Sequence, residues 1–265
     1  APDSKSANGR VHASILDLYD NARMAQPTKD NMPISWFSFE YETKSELQKI
    51  SSSNKEIVLL TQTFASPSTK SLIEEFKSNY KNVRHITYDS FSESAALNAY
   101  ETRYGIRGLS NYDFSKSKVI VSIGADFLGD WQGGGFDCSY AKGRIPDNGT
   151  MSRHIQFESN MTLSGANADV RVPLKLNEQK LVLIEIYKSI VGNKIQLKSN
   201  ISLNKKTKKI VDELIREIKS AAEGSVIITG IKEEEYQSLV LEINEKLNSY
   251  SFKPLETILT RSSDD

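Results

Sequence analysis

The chain has 265 residues, 38% of them hydrophobic and 26% charged, with 34 basic and 34 acidic side chains. That length suits one large α/β domain or two small lobes. The balanced charge excludes a global basic field for nucleic acid or anionic lipid, and no apolar run approaches the roughly 20 residues that cross a bilayer.

The opening, APDSKSANGR, has neither Met nor a basic-then-apolar leader, and reads as a processed end or an excised fragment. Residues 10–36 mix apolar side chains with Pro27, Pro33 and polar turns, so an extended wrapping segment is expected over 1–54, with a short amphipathic helix at 44–52. EIVLLTQ, at 56–62, is a β-branched and leucine run too short for a helix and reads as a buried strand. Ser66 and Pro67 then open a helix with Leu72, Ile73, Phe76 and Tyr80 on one face. VRHITY (83–88) is a second strand, ESAALNAYETRYG (93–105) a helix stopped by Gly105, and SKVIVSI (117–123) a third strand. This alternation predicts a parallel sheet with right-handed crossovers.

A glycine-rich loop follows from 124 to about 150, with a helical turn expected near Cys138 to Lys142. SRHIQFES (152–159) and ADVRVPL (168–174) read as strands, and NEQKLVLIEIYKSIVG (177–192) as a helix apolar on nearly all sides, buried between layers. After a linker come the helix KKTKKIVDELIREIKSAAEG (205–224), the strand SVIITG (225–230), the helix KEEEYQSLVLEINEKLNSY (232–250) and an edge strand at 255–260. The sheet is expected to continue into these elements. The fold class is therefore α/β, a doubly wound, mostly parallel, Rossmann-like sheet. It comprises the wrapping segment 1–54, an α/β lobe at 55–200 and a continuation at 201–265.

Ligands of such sheets bind off the carboxyl ends of the strands. Three ends qualify: Gln62 to Ser66, Gly124 to Gly135, and Thr229 to Glu233. At the second, Gly124 and Gly129 bracket ADFL, which is neither G-x-G-x-x-G nor a P-loop. Either this loop holds a nucleotide, or it is a tight strand exit that packs Phe127 and Trp131. Asp126 and Asp130 would oppose a pyrophosphate. Glu233, Glu234 and Glu235 already suit the dipole of the helix they open. The small polar residues of TFASPS read as a helix cap. Arg153 and His154 read as residues facing outward along a strand, or as a phosphate or partner contact. Trp131, Phe136 and Tyr140 read as core or as partner contacts. His12, His85 and His154 have no zinc-like spacing, and no nucleophile elbow or glycosidase-like carboxylate pair stands out. The one cysteine, Cys138, excludes an internal disulfide and a cysteine-ligated iron–sulfur cluster built from this chain alone.

Several segments in order carry a resemblance: VHASILDLYDNARM, TQTFASPSTKSLIEEF, YDSFSESAALNAYE, KVIVSIGADFLGDW, YAKGR, MSRHIQFESNMTLSGANADVRVPL and SVIITG. Together they resemble the molybdopterin-oxidoreductase-like, iron–sulfur subunit of bacterial alternative complex III, the quinol:cytochrome c or electron acceptor oxidoreductase. The resemblance implies a fragment of the molybdoenzyme-like half of that subunit, on the periplasmic side of the inner membrane. Its partners would be the other subunits of the respiratory complex and the cluster-bearing domain of the same subunit, with no nucleic acid and no direct membrane insertion. It implies that Gly124, Ala125, Asp126 and Gly129 form a vestigial cofactor site, with no catalytic or metal-binding residue and no cofactor in this piece. The iron–sulfur clusters would lie in the missing domain. The alternative is a catalytic oxidoreductase fragment that still binds molybdopterin guanine dinucleotide or another nucleotide cofactor.

Overall fold

The computed structural model describes residues 12–64, 66–146, 149–192, 202–254 and 256. They form two compact units, one of Ala13–Ser92 and one mainly of Glu93–Thr260.

In the first unit, β1 (Thr28–Lys29) pairs antiparallel with β2 (Met32–Pro33). Asp30 and Asn31 between them both have positive φ (49° and 64°), as a two-residue type I′ turn requires. Helix α1 (Trp36–Ser51) starts well before the expected 44, because the Ser35 hydroxyl accepts the Ser38 amide and caps it. The expected wrapping segment is therefore largely helical beyond residue 35. Strand β3 (Ile57–Thr61), helix α2 (Pro67–Asn79) and strand β4 (Val83–Thr87) form a βαβ unit whose two strands are parallel. Ser66 caps α2 through the Thr69 amide, with Pro67 in the first turn, as expected. No described residue of 13–92 is fully buried: Val58 and Leu60 on one face of β3 are exposed, and Phe91 is 82% exposed.

The second unit opens with α3 (Ser94–Tyr104), which stops at Gly105 in the left-handed conformation. A short strand β5 (Asn111–Tyr112) leads to β6 (Val119–Ile123). The glycine-rich loop includes α4 (Asp137–Gly143), and β7 (Arg153–Glu158) follows. A single turn of helix, α5 (Leu163–Ala166), connects to β8 (Val170–Pro173). Then come α6 (Leu176–Ile190), α7 (Lys205–Ala221), β9 (Ser225–Thr229), α8 (Glu234–Lys246) and β10 (Phe252–Lys253). β10 pairs antiparallel with β5. The main sheet is four-stranded and all parallel, in the order β8-β7-β6-β9.

Both faces of this sheet are covered, which explains why β6 and β9 are buried along their whole length. Val119, Val121 and Ile123 of β6 pack with Ile155, Phe157 and Ile227 against α6, α7 and one side of α8. Ile120, Val226 and Ile228 face the other way, onto α3 and an aromatic cluster of Tyr112, Phe114, Phe127, Trp131, Phe136 and Tyr140. The structure thus places Trp131, Phe136 and Tyr140 in the core. Helix α6 is buried on most sides, as its composition predicts.

The α/β class and the parallel, doubly wound sheet agree with the sequence reading. The single continuous sheet does not: β3 and β4 form their own two-stranded sheet. β6 uses both its hydrogen-bonding edges, on β7 and on β9, so the expected neighbour of β4 is already paired on each side. Of the edge strand expected at 255–260, only Glu256 is among the described residues, and residues 193–201 of the linker expected at 193–204 lie outside them.

Candidate functional site

From β6 the chain steps to β7 and then β8 in one direction, and β9 returns to the other side of β6. The strand order therefore reverses between β6 and β9, and their carboxyl ends, Gly124 and Gly230, mark the topological switch point where a ligand would bind.

Gly124 has φ of 72°, so the strand exit needs glycine for its backbone alone. A Cβ there would also stand 2.7 Å from Oε1 of Gln179 on α6. On the other side, a Cβ at Gly230 would lie 2.1 Å from the Gly124 carbonyl oxygen. The two strand ends are in backbone contact, with no room between them for a third group.

Several of the amides around this point are engaged inward. Gly124 N–H donates to Phe157 O at 2.7 Å, Gly129 to Asp126 O at 3.0 Å, and Gly230 to Ile123 O at 2.9 Å. Leu128 N–H donates to Ser164 Oγ at 2.9 Å, and Ile231 N–H to Thr229 Oγ1 at 3.1 Å. Trp131 and Gly134 amides likewise end on carbonyls of the same loop, of Asp126 and Trp131. The Trp131 indole donates to Thr229 O at 3.1 Å, and Gln237 Nε2 donates to Ile231 O at 2.7 Å. A pyrophosphate cradle requires such N–H groups to point at the ligand.

Each residue that the resemblance singles out has a partner in the protein. Ala125 is buried, and its carbonyl accepts from Ser122 Oγ at 2.9 Å and from Gln156 Nε2 at 3.1 Å. Asp126 Oδ1 accepts the amide and the hydroxyl of Ser164, at 2.9 and 2.8 Å, and so ties the loop to α5. Gly129 lacks a side chain because a Cβ would meet Asp126 Oδ2 at 2.3 Å. Glu233 pairs with Lys180, whose ammonium also lies 5.3 Å from the Tyr236 ring. The loop packs Phe127 and Trp131 into the aromatic cluster.

Sequence reasoning missed a buried polar chain on β7. His154, Gln156 and Glu158 all face the aromatic side of the sheet, and none has appreciable exposed surface. Arg153, by contrast, is exposed and pairs with Glu217 at 3.0 Å. The outward orientation expected for His154 is therefore corrected: β7 is covered on both faces, so alternation does not mean solvent here. Glu158 anchors the chain through its pair with Arg171 and through Thr162 Oγ1 at 2.7 Å. Its charge orients the Gln156 amide, whose Nε2 donates to Glu158 at 3.3 Å. The Gln156 carbonyl can then only accept, and it places the hydrogen of His154 on Nε2, 3.1 Å away. His154 Nδ1 lies 3.2 Å from the Tyr140 hydroxyl, whose one hydrogen it shares with the Asn167 carbonyl at 3.1 Å. Burial pushes the His154 pKa down to about 4. Beside it, Arg144 forks onto Asp169 at 2.7 and 2.8 Å and holds that carboxyl below its usual range. The readable signal was the polar triplet itself, at alternate positions between Ile155 and Phe157.

A cleft of about 580 Å³ opens over this layer, between Leu128, Tyr140, Arg144, Ile145 and Leu163, with His12 at its wall. Its polar floor, Tyr140 and Arg144, is already bonded to protein. His85 lies against Thr61 Oγ1 at 2.8 Å. Cys138 is exposed, and among the described residues no three His, Cys, Asp or Glu side chains gather as a metal would need.

No family model and no curated protein matches the sequence. Among solved structures, acetylene hydratase from Pelobacter acetylenicus is similar over 92% of this chain and 38% of its own, at 13% identity and a TM-score of 0.53. The likeness is one of fold. The formyltransferase/hydrolase complex (FhcABCD) from Methylorubrum extorquens, solved with methylofuran, matches 81% of this chain and 56% of its own, at 14% identity and a TM-score of 0.46. The chain spans well under half the length of acetylene hydratase.

Proposed function

We propose that this chain is a cofactor-free scaffold domain of a molybdopterin-oxidoreductase-like subunit, in a respiratory quinol:electron acceptor oxidoreductase complex. It would lie on the periplasmic side of the inner membrane, hold no redox centre, and support the cluster-bearing domain and neighbouring subunits. One observation carries the reading: at the switch point between β6 and β9, the amides of Gly124, Leu128, Gly129, Gly230 and Ile231 donate to the protein's own acceptors. A dinucleotide cradled by these amides would have to break these bonds and push apart backbones that touch. This backbone arrangement argues against a molybdopterin guanine dinucleotide seated between the two strand ends.

The test is elemental analysis for molybdenum and tungsten, with oxidised-pterin fluorescence, on the subunit purified from its native source. Both signals should stay far below one per chain. A stoichiometric metal or pterin would overturn the scaffold reading and favour a catalytic fragment that holds the dinucleotide.

A further inference from the structure

Helix α7 begins Lys205-Lys206-Thr207-Lys208-Lys209. Four cations thus crowd the start of the helix, where its dipole presents the positive end and Asn204 Oδ1 caps the Thr207 amide at 2.9 Å. Acidic residues belong at this position on stability grounds, and α8 follows that rule with Glu234 and Glu235. In α7 the charges run against the helix that carries them. All four lysines are exposed. Among the described residues, Lys205, Lys206 and Lys208 make no ion pair, and Lys209 reaches Glu213 only at 4.0 Å. A chain with no net charge therefore carries one concentrated cationic corner.

We propose that this corner docks the protein on an anionic lipid surface. The residue types favour a diffuse layer of charge over a shaped ligand. Lysine is a hydrated point charge on a flexible stem, without the planar fork that recognises one phosphate. Residues 203–213 hold no aromatic side chain on which nucleic-acid bases could stack. A protein partner would want an apolar anchor among the charges, but Thr207 is buried. The apolar face of α7, Val211, Leu214 and Ile218, is committed to the core and cannot insert. The attachment is therefore electrostatic, peripheral and sensitive to salt. It stands whether or not the domain holds a cofactor.

The experiment is co-sedimentation of the chain with vesicles of phosphatidylglycerol and phosphatidylcholine, and with vesicles of phosphatidylcholine alone. Binding should need phosphatidylglycerol and weaken sharply between about 50 and about 300 mM salt. Each lysine near such a surface is worth about fivefold in partitioning. The variant Lys205→Glu, Lys206→Glu, Lys208→Glu, Lys209→Glu should lose about hundredfold or more. Its melting temperature should not fall, since glutamates suit that helix end, so lost binding would not mean lost folding. A control with the same charge change elsewhere, Lys44→Glu, Lys55→Glu, Lys70→Glu, Lys81→Glu, should keep most of the binding. Failure to bind phosphatidylglycerol vesicles, or equal loss in the two variants, would overturn the proposal. So would capture by polyglutamate with no binding to vesicles, which would assign the corner to an acidic protein.

Discussion

His154 has no exposed surface, and its neutral imidazole is held between Gln156 and Tyr140. Burial lowers its folded pKa to about 4 from the ordinary 6.5 that unfolding restores. Between those values the unfolded chain binds a proton that the folded chain refuses. The contribution is complete above pH 6.5 and declines as pH falls, by about 1.4 kcal/mol per unit and about 3 kcal/mol in all. Urea unfolding at about pH 7 and about pH 5 should show about 2 kcal/mol of this loss, and His154→Gln should flatten it. An unchanged slope in that variant would mean that other groups carry the acid sensitivity. The same residue shows what a single position conceals. Its identity was visible in the sequence, but its direction depended on whether β7 was covered on one face or two.

At the scale of elements, most boundaries were written in local chemistry. Ser66 with Pro67 opens α2, Gly105 closes α3, and the apolar runs 119–123 and 225–229 became the two fully buried strands. Helix α1 was underestimated because Trp36, Phe37, Phe39 and Tyr41 remain exposed and give no one-sided pattern. The pairing of β6 with β9 could not be read, since register between distant strands leaves no mark on either. Yet that pairing decides the candidate site, because it brings Gly230 against Gly124. Gly230→Ala should cost about 3 kcal/mol, as a Cβ there meets backbone that cannot swing aside. Gly105→Ala, in open space and strained only by its φ of 72°, should cost about 1 kcal/mol. Denaturant midpoints of the two variants check the order; equal losses would show that the strand ends have room to separate.

For the whole molecule, the sequence indicated the α/β class but merged two units into one sheet. Spacing of strands and helices reports the kind of layer, and it is silent on which edges meet. The units also differ in kind. Residues 93–254 hold every cluster of buried apolar side chains described, whereas 13–92 leave even Leu60 65% exposed. The consequence is calorimetric. At about 0.7 kcal/mol per residue, a chain of this length that melted throughout would absorb about 185 kcal/mol at its midpoint. A transition confined to the unit with an interior would absorb about 110 kcal/mol. We expect the smaller heat, with the remaining third of the chain lost gradually on warming, as a sloping baseline without a peak of its own.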